Sequence, residues 1–148
     1  MADITLAAYA YGSVLFDPDV PCIITRWHSF ANRQQFQTMM DEALACYQAE
    51  ARRTWPLGWL ADTRRMSALT SDDQHWLHTI WNPRAYKAGI RHIGIVQSEN
   101  VFGQIAAASY STKTLTSKDY QIQPVTQPTI AAAKQWLHTT IQQRLAVS

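Results

Sequence analysis

Residues Ile4 to Trp27 show no three- or four-residue repeat of apolar positions. ITLAAYA, SVLF and CIITRW are β-branched or aromatic runs, separated by Tyr-Gly-Ser and by Asp17-Pro18-Asp19, and turn chemistry between such runs predicts two or three antiparallel strands. The period then changes. Asn32 and Gln35 have helix-cap spacing, and Phe36, Met39, Met40, Ala43, Leu44 and Tyr47 recur on one face, with Asp41, Glu42, Gln48 and Arg52 on the other. This predicts a helix over about Arg33 to Arg53.

The stretch Gly58 to Leu77 organises the centre of the chain. Trp59-Leu60-Ala61 reads as a short buried strand ending at Asp62. Ser71 stands three residues before Gln74, a capping-box spacing that starts a helix at about Asp72. Trp76, Leu77, Ile80 and Trp81 define its buried side, which turns His75 and His78 outward. Asn82-Pro83 interrupts the pattern, a short helical piece covers Ala85 to Ala88, and Gly89 serves as its C-terminal cap. Arg91 to Gln97 forms a second apolar strand. Ser98-Glu99-Asn100 caps a helix whose Val101, Ile105 and Ala108, beside Phe102, Ala106 and Ser109, make a small-residue face. Ser111 to Lys118 has no apolar period and reads as a loop. Tyr120 to Val125 is a strand whose Pro124 suits an edge. Pro128, in the first turn, opens a last helix burying Ile130, Ala133, Leu137 and Ile141, with Trp136 flanking. The order predicts an α/β fold: a single mixed sheet of about five strands covered by about four helices, antiparallel in its first hairpin and parallel through right-handed crossovers thereafter.

Length makes this one domain over residues 1–148, since a chain of this size buries roughly 70% of its unfolded surface and folds without a staple. A hydrophobic content of 47% against 16% charge is that of a soluble globular chain, and no apolar segment is long enough for a membrane span. No basic residue precedes the apolar run at the N-terminus, so a first strand and a cytoplasmic location are expected, with no export signal. Cys22 in a strand and Cys46 on a helix read as reduced core packing. A net charge of +2 does not argue for nucleic acid. The charge is uneven, however: Arg52, Arg53, Arg64, Arg65, Arg84, Lys87 and Arg91 face only Asp62, Asp72 and Asp73 in the same stretch, so mid-chain is locally positive.

The strand order, W27-H-S-F30 entering the first helix, W59-L-A-D62 and A133-K-Q-W136-L137 in the last helix resemble the STAS-like (anti-sigma-factor-antagonist-like) proteins, including bacterial members related to STAS and CRAL-TRIO domains. The resemblance covers most of the chain. It implies a STAS-like fold and a regulatory, protein-contacting role; its CRAL-TRIO side implies the carriage of a small ligand. Regulatory members carry an Asp-Ser-Ser/Thr-Gly turn whose hydroxyl is phosphorylated at a helix start. The matching place reads Thr70-Ser71-Asp72-Asp73-Gln74, without the Gly and with two acids beside the hydroxyls.

The residues themselves offer little catalytic chemistry. Asp72-x-x-His75-x-x-His78 is the nearest approach to a metal-ligand set, but its members fan across about 120° of the helix and no further ligand is tied to them, so no metal or other cofactor is expected. There is no G-x-S-x-G, phosphate loop or G-x-G-x-x-G, and no catalytic residue is assigned. Asp62 at its strand end either acts as a base or bonds turn amides and Arg64 or Arg65. Four of the six tryptophans fall between Trp55 and Trp81; they build a core, or part of them lines a pocket or dimer face. The surface expected to bind a partner is the turn Asp62, Thr63, Arg64 and Arg65 with the helix start Thr70, Ser71 and Asp72, where guanidinium groups and helix amides suit an acidic protein segment. The expected function is therefore a small non-enzymatic regulatory or protein-interaction module, with a homodimer as one partnership. The alternatives are a carrier of a small apolar or acidic ligand, and a hydrolase-like enzyme using Asp62 and a histidine.

Overall fold

The structure is a computed structural model that describes residues 2–146. The three opening runs form an antiparallel meander of β1 (Ile4–Tyr9), β2 (Gly12–Asp17) and β3 (Cys22–Trp27), with a bulge in β1 between Thr5 and Ala7. β3 is the junction of the sheet. It pairs antiparallel with β2 and parallel with β4 (Gly58–Asp62), and β5 (His92–Val96) and β6 (Gln123–Gln127) continue the parallel half. The sheet thus has six strands, one more than expected, in sequential order from β1 to β6. The added strand comes from the opening segment, where all three runs pair fully.

Alternation and register decide what each face carries. Ile23, Thr25 and Trp27 of β3 share one face with Trp59 and Ala61 of β4 and with Ile93 and Ile95 of β5, while Cys22, Ile24, Leu60 and Val96 share the other. α1 (Arg33–Ala51) packs on the first face. Asn32 caps it, accepting from the Gln35 amide while the Gln35 side chain accepts from the Asn32 amide, and all six apolar positions of the expected stripe are buried. α5 (Ile130–Ala146) covers the second face. It begins just after Pro128, with the Thr129 hydroxyl accepting from Ala132 N. Cys22 is buried and Cys46 half-buried, and both are free thiols.

The central helix differs from its sequence reading. Thr70, not Ser71, is the cap, its hydroxyl accepting from Asp73 N at 3.1 Å, and α2 (Ser71–Trp76) starts one residue early. A π-helical turn (Leu77–Trp81) then carries the chain through Asn82-Pro83 into α3 (Asn82–Ala88) without the expected break; proline fits because it occupies the first turn of the new segment. The wider turn changes the phase. Asp73, Gln74, Leu77, Trp81, Asn82 and Ala85 face inward, Ile80 is exposed, and His78 is drawn half into the interior while His75 stays outside. Gly89 ends α3 at φ 108°, a conformation open to glycine, with the Trp55 ring against it.

α4 (Val101–Thr116) runs through most of the segment expected to be a loop. Weak helix propensity in Ser111 to Thr116 is overridden because Tyr110 and Thr114 are anchored in the interior. Its buried side is Gly103, Ala106, Tyr110 and Thr114, leaving Val101 and Ile105 outside. Tyr120 and Ile122 are buried ahead of β6, whose pairing begins where Gln123 N donates to Arg91 O, later than the expected Tyr120. Among the described residues no helix is long and apolar enough to cross a membrane.

Candidate functional site

The seven residues expected to form one surface are divided by the sheet. Asp62 points to the α5 face, 2% exposed, and accepts from Arg26 Nε at 2.8 Å and from Arg64 Nε and Nη2 at 2.9 and 2.8 Å. Burial alone would raise the Asp62 pKa, but the two guanidinium groups outweigh it and hold the carboxyl below its usual range; the same contact holds Arg64 more firmly protonated. The network extends outward, with Arg26 3.7 Å from Asp3 and Lys134 of α5 bridging Asp3 and Asp17 at 3.0 Å each. A general base for neutral pH needs a pKa near 7, so the depressed, fully engaged Asp62 is poorly suited to hydrolytic chemistry. Thr63 points the other way, its hydroxyl donating to Val96 O. Arg65 is exposed, the Thr70 hydroxyl is occupied as a helix cap, and the exposed Ser71 and Asp72 lie at the helix start, Asp72 3.8 Å from Arg33. Of the two guanidinium groups expected to meet an acidic partner, Arg64 is already turned onto Asp62.

A void lies on the opposite face, between the sheet and α4. Its floor is the row Thr25, Ala61 and Ile95, its roof is Gly103, Ala106 and Ala107 of α4, and its walls are Trp27, Phe36, Trp59, Trp81 and Tyr110, with Met40, Thr63, Met66, Leu69, Leu77 and Ile93 completing the lining. Small residues meet across the gap while large rings hold the elements apart. Trp59 and Trp81 cross at 67° with centroids 5.1 Å apart, and Trp27 stacks on Phe36 at 5.2 Å. The cavity measures about 70 Å³. That is several times the roughly 10–15 Å³ a water requires and about half the ~150 Å³ of an apolar cavity known to take benzene. Ala61, in the middle of a central strand, is only partly buried, because the cavity lies over it.

The loop after β4 forms one end of the cavity and is pinned to the start of α4. Ser98 Oγ donates to Met66 O at 2.7 Å and Glu99 N to Arg64 O at 2.9 Å. Gly103 is required here, since a Cβ would overlap Ser98 Oγ and Met66 O. A smaller hollow of about 10 Å³ shares Trp27, Phe36, Met66 and Leu69 with the cavity and adds Ser29, Phe30, Ala31, Ser67 and Ala68, of which Phe30 is strongly exposed. The shared side chains are thus a partition between the cavity and the surface around Phe30. Three polar groups of the lining are bonded: Trp81 Nε1 donates to Met40 O, Thr63 Oγ1 to Val96 O and Tyr110 Oη to Asn82 Oδ1. Thr25 Oγ1, in a residue 1% exposed, has no partner.

Beside the cavity, the π-helical turn sets His78 against Tyr110 and Tyr120. The imidazole stacks on the Tyr110 ring at 5.4 Å and its Nδ1 lies 3.2 Å from Tyr120 Oη, which also accepts from Asn82 Nδ2 at 3.0 Å. Burial, with Lys113 and His75 nearby, holds the His78 pKa below 6.5, so the ring is neutral at physiological pH. The other ring nitrogen, Nε2, is a buried atom without a partner. An open groove of about 680 Å³ runs outside this cluster, lined by Ser71, Asp72, His75, His78, Thr79, Lys113, Ser117, Asp119 and Tyr120. Asp72, His75 and His78 therefore share a groove, but His78 Nδ1 is committed to Tyr120, and among the described residues no group of three His, Cys, Asp or Glu side chains is placed to hold a metal.

Sequence reasoning left the tryptophans divided between core and pocket, and three of them serve as both: Trp27, Trp59 and Trp81 are buried and wall the cavity. Thr25 and Gly103 are not among the residues expected from the sequence. The available signal was a Thr and an Ala at alternating positions of adjacent apolar strands, opposite a helix with Gly and Ala at three-residue spacing, but only the register shows that they face each other. Compared with known proteins, the chain matches no family model, no curated protein and no solved structure.

Proposed function

We propose that the protein is a non-enzymatic binding module that takes a small, uncharged, largely apolar ligand into the cavity between β3, β4, β5 and α4. The observation that carries this reading is the aromatic-walled void of about 70 Å³ within the core. A void costs stability through lost contacts, and a bound apolar molecule restores them. Charge has no place in it, because no lining side chain is ionised at neutral pH. The STAS-like identity belongs to the same proposal and rests on the sequence features that resemble that family. Xenon titration followed by amide NMR tests the ligand reading: saturable shifts are expected at Ala61, Ile95, Ala107 and Tyr110, and they should vanish in Ala61→Leu, whose side chain fills the space. Absence of saturable shifts in the parent protein would overturn it.

A second reading, a protein-contacting regulatory module, is favoured by α4, where Val101, Phe102 and Ile105 are 58, 61 and 62% exposed. Sedimentation velocity tests the homodimer form of this reading. A dimer that dissociates in Phe102→Ser with Ile105→Ser supports it, and a monomeric parent at micromolar and higher concentration removes it.

A further inference from the structure

Thr25 stands in the centre of β3, between Val14 of β2 and Ala61 of β4 in register, so neither neighbour offers it a hydrogen-bonding side chain. Its hydroxyl is shielded from solvent and unpartnered, whereas Thr63, Trp81 and Tyr110 around the same cavity are all bonded. Valine has the same shape and would leave no orphan group, so a threonine in this row is destabilising for an empty core. A ligand supplies the missing partner. Thr25 forms part of the cavity lining, and a step of about 120° in χ1 moves Oγ1 into the position of the methyl or of the hydrogen on Cβ, so a change of rotamer can turn the hydroxyl toward an oxygen bound in the cavity.

We propose that Thr25 is the specificity-determining residue of the cavity and that the ligand is a compact hydrocarbon bearing one hydroxyl or carbonyl oxygen. This rests on the ligand-binding reading above and narrows its chemistry. A hydroxyl ligand exchanges a hydrogen bond with Oγ1, a carbonyl accepts one from it, and the rest of the molecule lies against Trp59, Trp81 and Ile95. Anions and cations are excluded for want of a counter-charge. Larger molecules are excluded by the size of the space, about 70 Å³.

The test compares 2-propanol and acetone with xenon, using amide NMR titrations of the full chain. In Thr25→Val the dissociation constants of 2-propanol and acetone should rise about 5- to 10-fold, the worth of one hydrogen bond, while xenon binds as tightly as before or more tightly. Thr25→Ser, which keeps the hydroxyl, should retain the preference for the alcohol over xenon. The Val variant should melt no lower than the parent, because it removes an orphan group without changing the shape. If xenon binds the parent and Thr25→Val leaves the affinities of 2-propanol and acetone unchanged, or neither binds the parent, Thr25 does not select the ligand and this inference falls while the cavity reading stands. If xenon does not bind the parent, both fall together.

Discussion

The two faces of the sheet solve the same packing problem differently. On the α5 face, Gly58 and Gly94 let the helix descend until Leu137 and Ile141 touch the strands; a Cβ at Gly58 would stand 3.1 Å from Ile141 Cδ1 and 3.3 Å from Leu137 Cδ2. The charges of that face lie beyond the packed core and are paired, Asp62 with Arg26 and Arg64, Lys134 with Asp3 and Asp17. On the α1 and α4 face the floor is also small, at Thr25 and Ala61, but the tryptophan and tyrosine rings prop the helices away from it and leave a void. The same device, a small residue in a strand, gives close contact under an aliphatic helix and a cavity inside an aromatic ring. Polar satisfaction follows the division: Thr25 Oγ1 and His78 Nε2 are unpartnered on the cavity side, where a closely packed core would leave none.

Removing a prop should do the most damage. Trp59, 1% exposed at the centre of the cavity wall, is expected to destabilise the fold by about 3–5 kcal/mol when truncated to Ala, as chemical denaturation would show. A loss below about 1 kcal/mol would mean that the wall collapses freely and that the void is not maintained by its rings.

On the other face, Asp62→Ala should cost about 2 kcal/mol, less than the 3–5 kcal/mol typical of breaking a fully buried pair, because Arg26 and Arg64 are partly exposed and recover water. An unchanged denaturation midpoint would show that the network contributes orientation without stability.

Adding volume should separate the faces most directly. Gly58→Val overpacks the α5 contact and should lower stability by about 1–3 kcal/mol, whereas Ala61→Val, two methyl groups placed into the cavity, should be neutral or stabilising by about 0.5–1 kcal/mol. Equal losses from both, measured by thermal unfolding, would erase the distinction between a filled and an open face.

The smallest effect should be in pH dependence. His78 and His92 both have folded-state pKa values below 6.5, raised burial costs for the cation being the first cause in each, so the unfolded chain takes up protons first as pH falls. Their contribution is fully present above 6.5 and is lost as pH falls through the lower folded-state values. Asp62, held below 3.8, keeps its contribution until far more acid conditions, where it is lost in the same direction. The melting temperature should therefore decline between about pH 7 and about pH 5, and His78→Phe should make that decline shallower, with His92 supplying the remainder. An identical slope in the variant would remove His78 as a source.

Local periodicity and cap chemistry were enough to locate α1 with its six buried side chains, the meander, the apolar parallel strands and the Gly89 stop, because each depends on residues close in sequence. The π-helical turn was not legible, since an inserted residue changes helical phase without changing composition, and with it went the inward turn of His78 and the exposure of Ile80. The helical course of Ser111 to Thr116 was likewise decided at a distance, where Thr114 meets Asn82. Asp62 and Thr63 are neighbours in the chain and were expected to serve one surface, yet strand alternation sends one to an ionic network and the other to a cavity. The sequence by itself determined which segments bury apolar surface. Only the tertiary structure decided whether facing small residues close or leave a space, because that depends on the register that sets Thr25 beside Ala61 and on the rings that hold α4 above them.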